Sequence, residues 1–164
     1  MKNIYLVRHA KAESPGPLVM DFKRALNPRG EEAVLLMGER LKEKNISPQL
    51  FLTSPAIRTM TTAQGIAKCL GKSMEDIFEE ETIYNASLKT LVEVIHDLDN
   101  KYDNVMLFGH NPGMTELANY LGDAPVSHMP TCAVYGVSFD LNDWRKINAK
   151  GGTCLFFDYP KKMG

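Results

Sequence analysis

The sequence lacks the cysteine patterns and long apolar runs that mark several classes of protein. Its three cysteines, Cys69, Cys132 and Cys154, are far apart and form no Cys-x-x-Cys pair. A disulfide framework and a cysteine zinc site are therefore excluded, and we expect reduced thiols in a cytoplasmic protein. No apolar run approaches the ~18 residues that a membrane span needs, so we expect no membrane association.

The sequence also lacks an excess of either charge. Lys and Arg number 19 against 20 Asp and Glu, which gives a net charge of -1. Such a balance offers no general attraction to nucleic acid or to an anionic membrane, and neither is expected as a partner. A binding site for an anion must therefore be local.

What is present is the composition of one globular domain. Hydrophobic residues make up 44% of the 164 residues, and no linker, repeat or low-complexity tract interrupts the chain. We therefore expect a single domain over residues 1–164, with an apolar core of ordinary size. A monomer is expected.

Apolar segments predict six strands, and helix-start signals between them predict four helices. The last two strands are joined by only a short helical turn at 142–147, too brief for a right-handed crossover, so they are expected to pair antiparallel at one sheet edge. The predicted fold is an α/β three-layer sandwich with a mostly parallel sheet and one antiparallel edge strand. The strands are expected at 4–7, 50–53, 77–81, 105–108, 132–140 and 153–159.

Cap residues indicate where the helices begin. Asn27-Pro28 and Ser54-Pro55 both combine an N-cap residue with proline, and Ser87 can cap a third helix. The fourth helix is expected from about Pro112 to Leu121. In the second helix the apolar positions begin with Ile57, which leaves Arg58 off the apolar stripe in the first turn.

Polar side chains follow three of the predicted strands at the point where each strand ends. Arg8 and His9 end the first strand, Arg58 lies just past the second, and His110 and Asn111 follow the strand at 105–108. Ligands of open α/β sheets bind outside the carboxyl ends of the strands. Two guanidiniums and a helix N-terminus there predict a phosphate pocket that needs neither metal nor cofactor. Taken alone, Arg8-His9 could instead cap strand carbonyls.

A histidine in such a pocket can also attack phosphorus. The neighbouring arginines disfavour the protonated imidazole, so we expect His9 to be neutral at physiological pH and to act as a nucleophile. The result would be a phosphohistidine intermediate that water hydrolyses. His110 would hydrogen-bond the transferring oxygens and stabilise charge in the transition state.

Three segments resemble the signature segments of the histidine phosphatase superfamily, the phosphoglycerate mutase-like group. They are LVRHA at 6–10, SPAIRT at 54–59 and GHNPG at 109–113, and further matching segments run nearly end to end. The chain is most similar to the small SixA-type phosphohistidine phosphatases. This resemblance implies His9 as nucleophile, with Arg8, Arg58 and His110 binding the phosphoryl group.

Two departures from the family pattern affect the predicted site. Ala10 replaces the superfamily's usual glycine, as it does in the small phosphatases, which limits how closely the backbone can approach a ligand. Ala25 replaces the subgroup's usual proline, so Arg24 either contacts the substrate or forms an ion pair with Asp21 or a neighbouring acid.

The proton donor is the least defined part of the predicted site. Glu81 is the best positional match to the acid of the mutases and broad phosphatases, but with Glu79 and Glu80 it could equally form a solvated acidic run. An imidazole leaving group needs less protonation than an alkoxide, so a phosphohistidine phosphatase could work without Glu81.

The sequence therefore predicts a metal-independent phosphatase. Its expected substrate is a phosphorylated histidine on a signalling protein, because the absence of long insertions between the motifs predicts a shallow pocket. The alternatives are a phosphomonoesterase acting on a small phosphorylated molecule, which would need Glu81 as acid, and a module that only binds phosphorylated partners.

Overall fold

The computed structural model describes residues 1–162, which form one six-stranded sheet with four helices. The elements follow the predicted order along the chain, with short 3-10 turns between them. In sequence they are β1 (Lys2–Arg8), α1 (Pro28–Glu43), β2 (Leu50–Thr53), α2 (Ile57–Cys69), β3 (Ile77–Glu79), α3 (Leu88–His96), β4 (Asn104–Gly109), α4 (Gly113–Leu121), β5 (Val134–Phe139) and β6 (Thr153–Asp158).

The sheet confirms the predicted mostly parallel arrangement with an antiparallel edge. Its strand order is β3-β2-β4-β1-β5-β6. The first four strands in this order, β3, β2, β4 and β1, are parallel to one another. β5 runs antiparallel to both β1 and β6. The reversed strand is thus β5, and β6 beyond it has the same direction as β1.

Register brings the ends of the three central parallel strands together. Arg8 at the end of β1 pairs with Gly109 at the end of β4, and Thr53 at the end of β2 pairs with Phe108. The residues that follow these strands therefore meet at one edge of the sheet, as parallel strands require.

Alternate side chains of β1 face opposite layers, which makes the fold a three-layer sandwich. Ile4 and Leu6 are fully buried against the layer that contains α3 and α4. Tyr5 and Val7 pack in the second cluster, which contains α1 and α2. Because both faces of the strand are covered, β1 reads as a continuous apolar run in the sequence.

Two of the predicted helix caps are confirmed and one is wrong. The Asn27 side chain accepts a hydrogen bond from Gly30 N at 2.8 Å, and Ser87 accepts one from Thr90 N at 3.2 Å. α2 instead starts after Ala56 without a side-chain cap. Near the helix start, Ser54 Oγ accepts from Ala56 N, at 3.2 Å, and not from a backbone N–H of α2, because the backbone bends between Ser54 and the helix.

The domain predicted over 1–164 extends to Met163 and Gly164, which lie outside the described residues. None of the helices within 1–162 has the length and hydropathy of a membrane span.

Candidate active site

The structure brings His9, His110, Arg8 and Arg58 together at the carboxyl edge of the sheet. The centroids of the two imidazole rings are 5.3 Å apart, with their planes inclined at 54°. Arg58 Nη2 lies 3.3 Å from His110 Nδ1, and the charges of Arg58 and Arg8 both act on His9. Four side chains from three separate segments of backbone thus form one cluster.

The hydrogen bond of His9 fixes which of its nitrogens can react. His9 Nδ1 lies 2.7 Å from the carbonyl oxygen of Ala10. Because a carbonyl oxygen can only accept, Nδ1 carries the proton and donates it, and the neutral ring keeps a lone pair on Nε2. The free lone pair of His9 is therefore on Nε2.

Burial keeps the His9 ring neutral. Desolvation is the largest effect on its pKa, which lies at about 4, and the charges of Arg58 and Arg8 lower it further. The bond to Ala10 opposes this shift. The prediction that the arginines keep the ring neutral was wrong about the main cause. Burial lowers the pKa of His9 more than the charges of the arginines do.

His110 is also neutral, with the opposite tautomer. Since the Arg58 guanidinium can only donate, His110 Nδ1 accepts from it, and the ring proton lies on Nε2, which donates to Ser54 Oγ at 2.8 Å. Burial, followed by the charge of Arg58, lowers the His110 pKa to about 3. To donate to a phosphoryl oxygen, as the sequence predicts, His110 must exchange the bond to Ser54.

The two arginines each keep a buried donor without a partner. Arg8 Nη1 donates to the Met129 carbonyl at 3.1 Å, and Arg58 Nη1 donates to the Asp21 carbonyl at 2.7 Å. The Nε atoms of both side chains are buried and have no hydrogen-bond partner among residues 1–162. Unpaired buried donors are costly, so these two N–H groups leave hydrogen-bonding capacity unused within the cluster.

Asp21 is a site residue that the sequence analysis treated only as an ion-pair partner for Arg24. Its Oδ2 accepts from Arg58 Nη2 at 3.0 Å and from the Tyr84 hydroxyl at 2.5 Å, and its Oδ1 accepts from Arg24 Nη1 at 2.9 Å. The hydrogen bonds from Tyr84, Arg24 and Arg58 hold the pKa of Asp21 well below its usual range. Asp21 therefore places a negative charge on the outer side of the Arg58 guanidinium.

Tyr84 connects Asp21 to the second histidine. The Tyr84 ring lies edge-on to the His110 ring at 5.4 Å and to the Phe22 ring at 5.6 Å. The signal for Tyr84 in the sequence is its place in IYNAS at 83–87, one of the further segments that match the family, and that segment supports the resemblance without placing Tyr84 in the site.

The structure also shows what three further predicted site residues, Arg24, Asn111 and Glu81, bind or do not bind. Arg24 forms the ion pair with Asp21 that the sequence left as one of two options, and its Nε donates to the Glu13 carbonyl at 2.8 Å. Asn111 donates to the Met129 carbonyl and accepts from Thr115, which makes its side chain a brace for the start of α4. Glu81 is exposed, and its side chain has no hydrogen bond or ion pair within residues 1–162.

The backbone around His9 is held by hydrogen bonds and close packing. Ala10 N donates to the Thr62 hydroxyl at 3.0 Å, and that hydroxyl donates to the Arg58 carbonyl at 2.7 Å. The Ala10 methyl group is fully buried in the core between the sheet, α1 and α2. A Cβ on Gly109 would lie 2.7 Å from Met114 Sδ, so a larger residue beside His110 would require the Met114 side chain to move.

The comparisons with known proteins agree with this geometry. Residues 4–82 match the family model of the histidine phosphatase superfamily (branch 1). The resemblance to this superfamily, with the SixA phosphohistidine phosphatases as structural neighbours, is thereby confirmed. No curated protein sequence matches the chain.

Solved structures match over nearly the whole chain. The SixA protein of Agrobacterium tumefaciens is 28% identical with a TM-score of 0.80, covering 97% of this chain and 98% of its own. The protein histidine phosphatase SixA in complex with tungstate is 21% identical with a TM-score of 0.81, covering 96% and 97%. A mycobacterial glucosyl-3-phosphoglycerate phosphatase is 12% identical with a TM-score of 0.64, covering 97% and 98%. The fold is thus shared with phosphatases named for protein and for small-molecule substrates.

Proposed function

We propose that the chain is a phosphatase that hydrolyses phosphohistidine on a protein through a covalent intermediate on His9. The observation that carries this proposal is the pair of unpaired Nε donors on Arg8 and Arg58 beside a neutral His9. Two buried guanidinium donors suit the oxygens of a phosphoryl group, and a free imidazole lone pair suits attack on its phosphorus.

In the first step, the lone pair on His9 Nε2 attacks phosphorus. The P–N bond of the substrate breaks, and its electron pair returns to the leaving imidazole, which departs neutral once its other nitrogen carries a proton from solvent. The phosphorylated His9 ring becomes positively charged, and the Nδ1–H bond to the Ala10 carbonyl stabilises that charge.

In the second step, water attacks the phosphorus on the side opposite Nε2. The P–Nε2 bond breaks, its electrons restore the neutral ring, and the protons of the water pass to phosphate and solvent. Arg8 and Arg58 stabilise the charge on the transferring oxygens throughout. We propose that no metal is needed because these guanidiniums supply the positive charge.

The choice of phosphohistidine over a phosphate ester depends on the leaving group. An alkoxide needs an acid within reach, whereas Glu81 is exposed and its side chain makes no hydrogen bond or ion pair within residues 1–162. An imidazole accepts its proton from solvent. The structural likeness to SixA proteins supports the same substrate class.

The experiment that tests this proposal compares Glu81→Gln with the wild type on two substrates. We expect the variant to hydrolyse a phosphohistidine peptide within about twofold of the wild-type rate, since no proton from Glu81 is used. Ester hydrolysis, measured with an alkyl phosphate such as glycerol 2-phosphate whose alkoxide leaving group needs a proton, is expected to be slow in both proteins.

The rival function is a small-molecule phosphomonoesterase. We test it because the chain shares its fold with the mycobacterial glucosyl-3-phosphoglycerate phosphatase. Fast ester hydrolysis that drops by ~100-fold or more in Glu81→Gln would favour this rival, because general acid catalysis contributes about that much. Glu79→Gln, which removes a charge from the same exposed segment, is the matched control.

A further inference from the structure

A cavity that His9, His110, Arg8 and Arg58 do not line opens at the same edge of the sheet as His9. Its volume is about 310 Å³, in the range of small-ligand sites. Its walls come from Lys11, which follows β1, from Thr131, which precedes β5, and from Tyr159 and Pro160, which follow β6. Because β1 and β6 run in one direction and β5 in the other, all of these residues lie at the carboxyl edge of β1.

The rim of this cavity is positively charged. Lys11, Arg29 and Lys161 line it, and no acidic side chain does. Among residues 1–162, the side chains of these three cations make no hydrogen bond and no ion pair. In a chain whose net charge is only -1, such a group is a local concentration of positive potential.

The rest of the cavity lining is mostly apolar. It includes Ala33 of α1, Tyr159 and the prolines Pro130 and Pro160. Cationic tips around an apolar wall suit a ligand that carries carboxylates on short carbon chains, since the methylene groups can pack while the charges pair.

Close backbone contacts hold the cationic rim beside the nucleophile. Asn27 N donates to the Lys11 carbonyl at 3.0 Å, and a Cβ on Gly30 would lie only 2.0 Å from that oxygen. The loop after His9 is therefore pressed against the start of α1, which carries Arg29. On the other side, Cys132 N donates to the His9 carbonyl at 3.0 Å, which holds the neighbouring residue Thr131 close to the nucleophile.

We propose that this cavity binds an acidic segment of the substrate protein that flanks the phosphohistidine. The inference rests on the proposed function, because it assumes that the phosphoryl group itself is bound by Arg8 and Arg58. Glutamate or aspartate side chains next to the phosphohistidine pair with Lys11, Arg29 and Lys161. The cavity thus selects among phosphohistidine proteins by the charge of their sequence.

The test uses two phosphohistidine peptides of equal length, one with three glutamates on each side of the phosphohistidine and one with three glutamines. For the wild type we expect a KM for the glutamate peptide about tenfold below that of the glutamine peptide at low salt, with equal kcat. In the triple variant Lys11→Gln/Arg29→Gln/Lys161→Gln the two KM values become equal.

The control variant Lys42→Gln/Lys68→Gln/Lys89→Gln removes the same charge from exposed positions away from the cavity. It should keep the preference for the glutamate peptide. Equal KM values in the wild type, or a preference lost to the same extent in the control, would overturn the docking proposal.

Failure of the proposed function gives a different result. In that case free phosphohistidine and both peptides would remain unhydrolysed, and the docking proposal would be judged from binding alone. Fluorescence anisotropy of the unphosphorylated glutamate peptide should then show binding to the wild type and the control, and none to the triple variant. Equal binding to all three proteins would refute the cavity as the docking site.

Discussion

At the scale of the single residue, two features keep the lone pair on His9 Nε2 free of a proton. Its tautomer is set by the Ala10 carbonyl, and its neutral state is set mainly by burial. Salt screens the charges of neighbouring arginines but does not reverse burial. We therefore expect His9 to remain neutral, and its Nε2 to remain available, at physiological ionic strength and above.

Asp21 is the residue whose role is least expected from chemistry alone, since a carboxylate in an anion site repels the ligand. Its backbone carbonyl and its side chain both hold the Arg58 guanidinium, on the side away from the unpaired Nε. Asp21 thereby fixes Arg58 in place and at the same time weakens the attraction of the site for phosphate.

Asp21→Asn should tighten the binding of inorganic phosphate as a competitive inhibitor. The backbone bond to Arg58 remains and the amide oxygen can still accept from Arg58 Nη2, whereas the bond from Arg24 Nη1 to the other oxygen is lost together with the negative charge. We expect Ki to fall about fivefold, which corresponds to ~1 kcal/mol for a half-exposed charge. The measurement is the Ki for phosphate at low salt. Weaker phosphate binding in the variant would mean that Asp21 acts chiefly by holding Arg58.

At the scale of the element, the junction between β1 and α2 determines where His9 lies. The Thr62 hydroxyl accepts from Ala10 N and donates to the Arg58 carbonyl, so one buried side chain links the loop of His9 to the helix of Arg58. This link therefore positions β1, which precedes His9, and α2, which carries Arg58, as one unit.

Thr62→Val removes this link while keeping the shape of the side chain. The buried N–H of Ala10 would lose its acceptor, and we expect the free energy of unfolding to fall by about 2 kcal/mol. Turnover should fall as well, because His9 loses its fixed distance to Arg58. Urea denaturation and steady-state kinetics measure the two effects.

Thr61→Val is the matched control for this prediction. Thr61 makes the same kind of bond to its own helix, to the Ile57 carbonyl, but at an exposed position. It should change stability by less than about 0.5 kcal/mol and leave turnover unchanged. Equal losses in the two variants would contradict the proposed link.

α2 also shows what the sequence could not reveal about its elements. Periodicity predicted Ile57 on the buried stripe and Arg58 off it, yet Ile57 is 40% exposed and Arg58 only 4% exposed. The first turn of α2 extends past the core to the sheet edge, where Arg58 is buried by Asp21 and His110 instead of by apolar side chains. Hydrophobic spacing alone does not distinguish a core from a site.

Ser54 was missed for a related reason. Serine followed by proline is typical of a helix start, and nothing local distinguishes a cap from an acceptor for another segment. Its actual partner, His110, is 56 residues away in the sequence. Contacts of this range depend on strand order, which single-sequence patterns do not determine.

At the scale of the whole molecule, the strands and their carboxyl ends could be predicted because the central strands are apolar runs that polar residues follow. The sequence alone therefore predicts Arg8, His9, Arg58 and His110 at one edge. Asp21 could not be placed in the same way, because it lies in a loop without periodicity. Its position depends on contacts to other segments, as does the position of Tyr84.

The two neutral histidines should make the stability of the whole domain depend on pH. In the unfolded chain a histidine has a pKa near 6.5, whereas the folded values for His9 and His110 are about 4 and about 3. Between pH 6.5 and 4 the unfolded state therefore binds more protons, and lowering the pH destabilises the fold by about 1.4 kcal/mol per unit for each histidine.

Urea denaturation between about pH 7 and pH 4.5 tests this dependence. The double variant His9→Asn/His110→Asn is expected to lose most of the slope in this window. The low pKa of Asp21 does not interfere, because that carboxylate contributes stability that is lost only below its unfolded pKa of ~3.9. A slope that the double variant retains would show that other groups titrate.

The most direct measurement of the central claim is the chemical state of His9 during turnover. The enzyme is mixed with a phosphohistidine peptide, quenched in alkali within milliseconds, and examined by mass spectrometry of its peptides and by ³¹P NMR. We predict an acid-labile, alkali-stable phosphoryl group on Nε2 of His9, absent from His9→Ala, which should have no turnover. A phosphoryl group on His110 or on Nδ1 of His9, or normal turnover by His9→Ala, would contradict the account.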